Sequence, residues 1–349
     1  MPNPDLLYAP VFQLDALPCV PNANVATKAL YSRLKKWWGS KSLSGSMAQS
    51  TVGTESDDFV YALTGLHTAI ATFDFMNVTR ETQWASWDRP YSELVANAIE
   101  WASDGGIVSC MWHWRDPSGA TDEFYCKPAT DRPTYTTFDV SDIFNPLSEG
   151  YSQMMTDIDK VATYLKPLRD AGLPILWRPM HEAQGNRDSQ GGAWFWWGNG
   201  SGDRAAACKE LWRVMWDRMT NHHGLNNLLW VWTNQLTGTE EWYDECTTWY
   251  PGGQYVDIIG VDIYADDIEQ GRGSQLVQFK KTAHAAGCKK MVALTECGYI
   301  PNPAAMFNEG ATWLWWMPWN GDFTTSPSYN GDYWPTAMKD SRILNREDI

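Results

Sequence analysis

Residues 175–198, ILWRPMHEAQGNRDSQGGAWFWWG, are the stretch from which the rest of the chain is best interpreted. The stretch opens with a short apolar run and continues directly into Arg178, His181 and Glu182. This order is typical of a buried strand whose end carries ionisable side chains. A buried strand followed by an ordinary hydrophobic loop is the simpler alternative, but Arg, His and Glu seldom lie together in an interior without paired roles. Glu182 is therefore the first candidate for a functional residue.

Short runs of apolar, β-branched or aromatic residues recur along the chain and predict eight strands. Segments with the apolar spacing of helices lie between them, most clearly at residues 92–103, 151–171, 204–222 and 275–286. Several of these segments are followed by glycine, as helix C-termini favour. The predicted strands are residues 42–47, 68–76, 106–114, 174–182, 227–234, 256–264, 290–298 and 311–319.

The alternation of strands and helices predicts the fold class. Near-continuous apolar strands indicate a parallel sheet that is covered on both faces, and eight βα units in a chain of 349 residues favour a closed barrel. A doubly wound sheet is the alternative, but no G-x-G-x-x-G follows an early strand. We predict one domain over residues 1–349: a (β/α)8 TIM barrel at 41–349, preceded by a short N-terminal helical extension within 1–40.

Charge and composition narrow the class of ligand. The chain has 42 acidic and 27 basic residues, and its net charge of -15 disfavours nucleic acids and anionic membranes, which need clustered Lys and Arg. The 22 Trp and 15 Tyr suit a protein that stacks aromatic rings on sugars, although core packing explains a good share of them. An uncharged ligand is expected, and we predict a monomer.

Signals for cofactors and targeting are weak. The seven cysteines are an odd number without a C-x-x-C pair, and His181-Glu182 lacks the second histidine of H-E-x-x-H. The sequence has no G-x-S-x-G motif, which would indicate a serine nucleophile. We therefore expect no metal and no cofactor. The chain has no run of 18 uncharged apolar residues and no N-terminal leader, so we predict a soluble protein whose export signal was removed or was never there. We predict that it acts outside the cell, with the signal peptide absent from this chain.

Two glutamates stand at the ends of predicted strands. In a TIM barrel the catalytic residues gather at the C-terminal ends of the strands, where Glu182 after strand four and Glu296 after strand seven would face each other. Such a pair suits glycoside hydrolysis: one carboxyl protonates the leaving oxygen, while the other, about 5 to 5.5 Å away, attacks the anomeric carbon. The alternative is that each glutamate is a structural partner of an arginine, such as Arg178 for Glu182.

Three motifs around these glutamates carry a resemblance to a known family. They are R-P-M-H-E at 178–182, W-F-W-W-G at 194–198 and T-E-C-G at 295–298. Together they resemble glycoside hydrolase family 26, the β-mannanase family of the barrel clan whose acid and nucleophile follow strands four and seven. The resemblance extends over essentially the whole barrel. It implies that Glu182 is the general acid/base and Glu296 the nucleophile, with retention at the anomeric carbon.

The same resemblance implies roles for the surrounding side chains. Arg178 and Tyr264 would donate hydrogen bonds to Glu296 and keep it ionised, as donors to a carboxylate do. His181 would contact the sugar near its 2-hydroxyl, and Asp262 would add a polar contact. The implied aromatic and polar walls are His113 and Trp319 around the cleaved sugar, and Trp194 and Trp232 on the leaving-group side.

The loop at 183–193 departs from the family pattern because it is longer than the expected H-E-x-x-G-x-W connection. Its length leaves the position of Trp194 relative to Glu182 open, and Arg187, Asp188 and Gln190 would add contacts of their own. A cleft narrowed by this loop would favour an exo-acting enzyme.

The function implied by the resemblance is that of a retaining endo-β-1,4-mannanase acting on mannan, glucomannan or galactomannan. Within the same chemistry the alternatives are a β-1,3-1,4-glucanase, a β-1,3-xylanase and a mannobiose-releasing exo enzyme. A barrel that binds carbohydrate without turnover is the alternative from another class, and the presence of both Glu182 and Glu296 argues against it.

Overall fold

The computed structural model describes residues 9–80, 90–130, 132–185, 192–235 and 243–349. Strands and helices alternate through these residues, as the apolar periodicity predicts. The strands are β1 Ser42–Met47, β2 Ile70–Asp74, β3 Ile107–Trp112, β4 Ile175–Pro179, β5 Leu228–Gln235, β6 Ile258–Ile263, β7 Met291–Cys297, β8 Trp315–Pro318 and β9 Ile343–Leu344.

The first eight strands pair in parallel and close into a ring. Each pairs with its neighbour in the chain, and β1 pairs with both β2 and β8, which closes the barrel. The short β9 adds to the outside of β1, with Ser42 opposite Ile343. The predicted (β/α)8 TIM barrel is therefore confirmed, and β9 was not predicted because two residues carry no periodic signal.

Helices cover the outside of the barrel. The first is preceded by Asn24, whose side chain accepts a hydrogen bond from the backbone N–H of Thr27 at 2.8 Å and so caps the helix N-terminus. None of the helices in the described ranges is long and apolar enough to cross a membrane. The α-helices in these ranges are α1 Val25–Trp37, α2 Glu55–Thr64, α3 Tyr91–Ser103, α4 Glu149–Asp170, α5 Arg204–Asp217, α6 Tyr243–Trp249, α7 Ile268–Arg272, α8 Leu276–Ala285, α9 Pro303–Glu309, α10 Asp322–Thr325 and α11 Trp334–Met338.

Several predicted elements are longer than the observed ones. The strand predicted at 68–76 is observed only at Ile70–Asp74, and the one predicted at 311–319 is observed only at Trp315–Pro318. An apolar run reports burial, and residues beside a strand are buried whether or not their backbone joins the sheet. The helix predicted at 204–222 ends at Asp217, where the chain continues in a π-helical turn.

Two layers of core follow from the alternation of side chains along each strand. On β4, Leu176 packs inside the barrel, while Ile175 and Trp177 pack between the sheet and the helices. Arg178 is the next inward residue, so its guanidinium lies in the mouth of the barrel. The same rule decides which side chains of the other strands can reach a site there.

A β-bulge in β7 breaks this alternation. Val261 of β6 stands opposite Leu294, but the next residue, Asp262, stands opposite Glu296, so Thr295 is the additional residue. Leu294 and Cys297 both belong to the layer beneath the helices. The additional residue therefore turns Glu296 inward, toward the mouth of the barrel.

Candidate active site

The turn after β4 positions Glu182. The strand ends at Pro179, earlier than predicted, and Met180 and Glu182 both have left-handed backbone conformations, with φ of 53° and 52°. Such conformations cost a non-glycine residue about 1 to 3 kcal/mol and cluster at active sites. The backbone N–H of Glu182 donates to the carbonyl of Thr233 on β5 at 3.2 Å, and its own carbonyl accepts from Gly185 at 3.0 Å. These contacts hold Glu182 at the mouth of the barrel.

The Glu182 carboxyl lies in surroundings that favour its protonated form. It is 8 % exposed. Burial raises its pKa well above the usual value, and the charges of Asp262 and Glu296 raise it further. Arg178 and the indole N–H of Trp194, which donates to Oε2 at 3.0 Å, act in the opposite direction. A carboxyl whose pKa is raised is suited to act as an acid.

Two side chains donate hydrogen bonds to the Glu296 carboxylate, one to each oxygen. Arg178 donates from Nη2 to one oxygen, and the Tyr264 hydroxyl donates to the other at 2.7 Å. His181 Nε2 is 4.0 Å from the oxygen that Arg178 contacts. Desolvation of the Tyr264 hydroxyl and the neighbouring carboxylates raise the pKa of Tyr264 well above its usual value, so the phenol stays a donor. Glu182 and Glu296 thus differ in their hydrogen-bond donors: Trp194 for the first, and Arg178 and Tyr264 for the second.

Asp262 is the third carboxyl in the mouth of the barrel. It is fully buried, accepts a hydrogen bond from the Thr295 hydroxyl at 2.7 Å and lies 3.4 Å from Arg178 Nη1. One oxygen from each of Glu182, Asp262 and Glu296 lies within 4.8 Å of the others. Burial raises the pKa of Asp262 to about 8, with the charge of Glu296 adding to this effect and Arg178 opposing it. Three carboxyls this close cannot all be ionised with one arginine beside them.

Two histidines form the floor beside these carboxyls. Their rings are 4.4 Å apart and nearly perpendicular. His181 is 1 % exposed, and burial, together with the charges of His113 and Arg178, lowers its pKa well below the usual value, so it is neutral. Its Nδ1 has no hydrogen-bond partner among the described residues. Trp197, in the W-F-W-W-G motif, donates to the His181 carbonyl at 2.8 Å and so fixes the turn after β4.

Asp74, at the end of β2, orients His113. Its carboxylate is 2.6 Å from His113 Nδ1 and accepts the His113 backbone N–H at 3.0 Å. This contact leaves the other ring nitrogen of His113 to face the cleft. Sequence reasoning missed Asp74, although a carboxylate that ends the apolar run of β2 was a usable signal.

Aromatic side chains line the cleft. Trp319 lies 5.5 Å from the ring of His113, and Trp194 reaches Glu182 despite the long loop before it. The expectation for Trp232 is wrong. Trp232 is 3 % exposed and packs beneath the helices with its ring 5.3 Å from Tyr250, because its neighbour Val231 takes the inward position on β5.

A wall that was not predicted comes from the loop after β3. Phe124 lies 5.0 Å from the ring of His113, and Tyr125 stacks on Phe195 at 5.2 Å. The Arg132 guanidinium covers the Tyr125 ring at 3.2 Å. Backbone hydrogen bonds connect this loop to the W-F-W-W-G motif: Cys126 donates to the Trp194 carbonyl at 2.7 Å, and Trp196 donates to the Phe124 carbonyl at 3.0 Å. The Phe-Tyr pair in a polar loop was the only available signal.

Two groups of metal-ligand residue types occur within the described parts of the chain. One is Glu182 with Asp262 and Glu296, where Arg178 already supplies the positive charge. The other is Asp159 with His222 and His223 on the protein surface, where Arg218 donates to both oxygens of Asp159 at 2.6 Å. In each group a guanidinium takes the place that a cation would fill.

The structure brings together nine of the ten predicted site residues. Trp232 is the exception, and Arg187, Asp188 and Gln190 lie outside the described residues. The residues found together at the mouth of the barrel are His113, Arg178, His181, Glu182, Trp194, Asp262, Tyr264, Glu296 and Trp319.

Comparisons with known proteins identify the family of the chain. A family model described as "Glycosyl hydrolase family 26" matches residues 19–347. The chain belongs to glycosyl hydrolase family 26. Within the family, a mannan endo-1,4-beta-mannosidase of Thermothelomyces thermophilus is 36 % identical over 94 % of this chain, and mannan endo-1,4-beta-mannosidase B of a Piromyces species is 33 % identical over 89 %. The chain spans 62 % and 50 % of the lengths of these two relatives.

Solved structures of the family share the fold. A beta-mannanase from a symbiotic protist of the termite Reticulitermes speratus, complexed with gluco-manno-oligosaccharide, is 32 % identical with a TM-score of 0.82, over 97 % of this chain and 98 % of that one. A GH26-CBM35 beta-(1,4)-mannanase of Podospora anserina is 32 % identical with a TM-score of 0.81, over 98 % of this chain and 70 % of that one.

Proposed function

We propose that the protein is a retaining endo-β-1,4-mannanase that hydrolyses mannan, glucomannan or galactomannan by double displacement. The observation that carries the proposal is the pair Glu182 and Glu296, whose nearest oxygens lie within 4.8 Å. Retaining glycosidases hold their carboxyl groups about 5 to 5.5 Å apart, whereas inverting ones need roughly 6.5 to 9.5 Å. The names of the relatives support β-1,4-mannan as the substrate class.

The two steps give the two glutamates different roles. In the first, Glu182 donates its proton to the glycosidic oxygen while Glu296 attacks the anomeric carbon, which breaks the C–O bond and forms a glycosyl-enzyme. In the second, Glu182, now ionised, takes a proton from water, which attacks the same carbon and releases Glu296. The raised pKa of Glu182 suits its role as the acid of the first step.

The neighbouring residues take positioning and binding roles in this proposal. Arg178 and Tyr264 orient the nucleophile through the two hydrogen bonds to its oxygens. The neutral His181, with its free Nδ1, contacts the sugar at the 2-hydroxyl. Asp262 adds a polar contact. The remaining substrate contacts are His113 and Trp319 around the cleaved sugar and Trp194 on the leaving-group side.

The wider assignments follow from the same proposal. We infer that 41–349 act as one catalytic barrel after an N-terminal lead and helix at 1–40, outside the cell and as a monomer. The net charge of -15 supports a neutral polysaccharide rather than a nucleic acid or an anionic membrane as the partner.

Hydrolysis assays test the proposal. Purified enzyme is incubated with linear mannan, glucomannan, galactomannan, lichenan and β-1,3-xylan, and products are sized over time. We expect a ladder of manno-oligosaccharides from the mannans, and NMR at early times should show the β-anomer first. Strong activity on lichenan or β-1,3-xylan without activity on mannan would refute the substrate, release of mannobiose alone would refute the endo mode, and an α-anomer would refute retention.

A further inference from the structure

A second concave surface lies outside the catalytic cleft. It is an open groove of about 480 Å3 between the loop that follows β3 and the first turn of α4. We call it the outer groove. Its lining includes four carboxylates, three aliphatic hydroxyls, one amide and the aromatic side chains of Tyr135 and Phe138. The members used below are Asp116, Tyr135, Asp139, Asp142, Glu149 and Gln153.

The outer groove is separated from the catalytic residues by a layer of rings. Phe138, at the base of the groove, lies 5.0 Å from Trp196, which lies 6.0 Å from Trp197. Trp197 in turn lies 5.7 Å from His181. Phe138 is 8 % exposed, so the base of the groove is part of the core. A ligand in the groove therefore cannot contact the catalytic carboxyls.

The walls of the groove are held in place by its own hydrogen bonds. Asp116 accepts from the Ser118 backbone N–H at 2.9 Å and from the Thr121 hydroxyl at 3.1 Å. Asp139 accepts from the backbone N–H groups of Ser141 at 2.8 Å and Ser201 at 3.1 Å. These bonds occupy the oxygens of two of the four carboxylates. A surface organised before binding loses little entropy when it takes a ligand.

The remaining groups are those that recognise sugars. The Tyr135 ring is 42 % exposed and lines the groove, and Phe144, two residues beyond Asp142, is 56 % exposed. Asp142 and Glu149 offer carboxylate oxygens, and the Gln153 amide donates to Glu149 at 3.2 Å. An exposed ring covers the apolar face of a pyranose, while planar acceptors bind its hydroxyls. No lysine, arginine or histidine is among the described lining residues, which disfavours an anionic ligand.

We propose that the outer groove is an accessory binding site for a neutral β-linked hexose polysaccharide. One segment of the polysaccharide would bind the groove through Tyr135 while another segment of the same polysaccharide enters the catalytic cleft. The choice of a β-mannan as the glycan rests on the proposed function. If the groove is such a site, substitutions in it should weaken binding of the polymer without changing the turnover of short substrates.

The test replaces Tyr135 with alanine and compares it with a matched surface variant. Tyr61 is 47 % exposed on α2 and does not line the groove, so Tyr61→Ala controls for the loss of an exposed tyrosine. Both changes are made in the wild type and in a Glu296→Ala background. Affinity for galactomannan, glucomannan, lichenan and β-1,3-xylan is measured by native gel electrophoresis in gels that contain the polymer, and turnover is measured on mannohexaose.

We expect Tyr135→Ala in the Glu296→Ala background to weaken polymer binding by about three- to tenfold, the size of one aromatic stacking contact. Tyr61→Ala should leave binding unchanged, and Tyr135→Ala in the wild type should leave kcat/KM on mannohexaose unchanged. Equal polymer binding by the two tyrosine variants would overturn the proposal. The proposal would also be overturned if Tyr135→Ala lowered kcat/KM on mannohexaose by the same factor as it weakens polymer binding, because the groove would then be part of the cleft.

Two further outcomes separate the accessory glycan site from the proposed mannan substrate and from a cation site. If the wild type cleaves no mannan but Tyr135→Ala still weakens binding to another β-glycan, the accessory site stands and the proposed substrate fails. A calcium titration followed by thermal unfolding, with Asp142→Asn as the variant, tests a cation instead. Stabilisation by calcium that Asp142→Asn abolishes, without any effect of Tyr135→Ala on glycan binding, would overturn the glycan site.

Discussion

Strands β6 and β7 carry buried ionic groups at both ends, and the two ends are built differently. At the N-terminal end, Asp257 accepts the backbone N–H groups of Cys19 at 2.6 Å and Trp230 at 2.7 Å. Lys290 donates to Asp15 at 2.5 Å and to the Gly253 carbonyl at 2.7 Å. These partners include backbone groups and Asp15, and they close this end of the barrel.

At the C-terminal end the same strands carry Asp262 and Glu296, and their partners are mainly side chains. Arg178 donates to Glu296 and lies beside Asp262, and Tyr264 donates to Glu296. This end also holds the left-handed backbone of Glu182. Burial raises a carboxyl pKa at both ends, that of Glu182 here and that of Asp257 at the other end. The difference between the two ends therefore lies in the partners. Backbone groups take up the buried charges at the N-terminal end, whereas at the C-terminal end side chains hold several ionisable groups together beside a strained backbone, as in an active site.

The largest effect should come from Glu296→Ala. This change removes the proposed nucleophile, so we expect kcat on mannohexaose to fall on the order of 10⁴-fold or more, as for other covalent catalysts. Steady-state kinetics with a circular dichroism spectrum as the folding control measures it. Retention of more than a tenth of wild-type kcat would exclude Glu296 as the nucleophile.

Glu182→Ala should have a smaller effect that depends on the substrate. Proton donation by a positioned carboxyl contributes about 10²- to 10⁴-fold, so mannan hydrolysis should slow by that factor. Aryl mannosides with acidic phenols need little protonation and should be cleaved much closer to the wild-type rate for their first step. The measurement is the rate against the pKa of the leaving phenol. An equal loss for good and poor leaving groups would argue against the acid role.

Asp257→Ala tests the other end of the barrel. The buried backbone N–H of Trp230 and the partly buried one of Cys19 lose their acceptor. An unsatisfied buried group costs about 1 to 3 kcal/mol, so we expect the free energy of unfolding to fall by about 3 kcal/mol. Urea unfolding followed by tryptophan fluorescence measures this change. The pH profile of kcat should stay unchanged in the folded enzyme. A shifted profile would show that Asp257 affects the ionisation of the catalytic groups, so the two ends of the barrel would not be independent.

The smallest effect should come from Trp194→Phe, which keeps a ring and removes the indole N–H. That N–H lowers the pKa of Glu182 by stabilising the ionised carboxylate, so its loss raises the pKa. Because Glu182 must be protonated in the first step, the alkaline limb of the kcat/KM profile should move to higher pH. At the optimum kcat should change by less than about tenfold, since one hydrogen bond contributes roughly 0.5 to 1.5 kcal/mol. A limb that stays or moves to lower pH would contradict this.

The fold was largely predictable from the sequence. Apolar runs such as 175–177 predict buried parallel strands, and their count predicts a closed barrel. The positions of Glu182 and Glu296 at the ends of strands follow from the same pattern. The ends of the elements were less predictable, because the residues beside β2 and β8 are buried without joining the sheet.

The site was predictable in part. Trp232 was misplaced because the alternation of β5 does not say which of its two faces points inward until the barrel closes. Asp74 and Tyr125 were missed because each acts through a residue distant in the chain, His113 for the first and Phe195 for the second. Contacts of this kind leave no local periodicity.

The sequence by itself determined the barrel, its net negative charge and the two glutamates that end strands four and seven. The sequence also predicts that these two glutamates face each other, but only the tertiary structure decided how each side chain is turned inward. Glu296 turns inward because pairing with β6 inserts Thr295 as a bulge, and Glu182 turns inward through a left-handed turn held by Thr233 on β5. The physical reason is that a side chain's direction depends on the register of neighbouring strands, which long-range pairing sets.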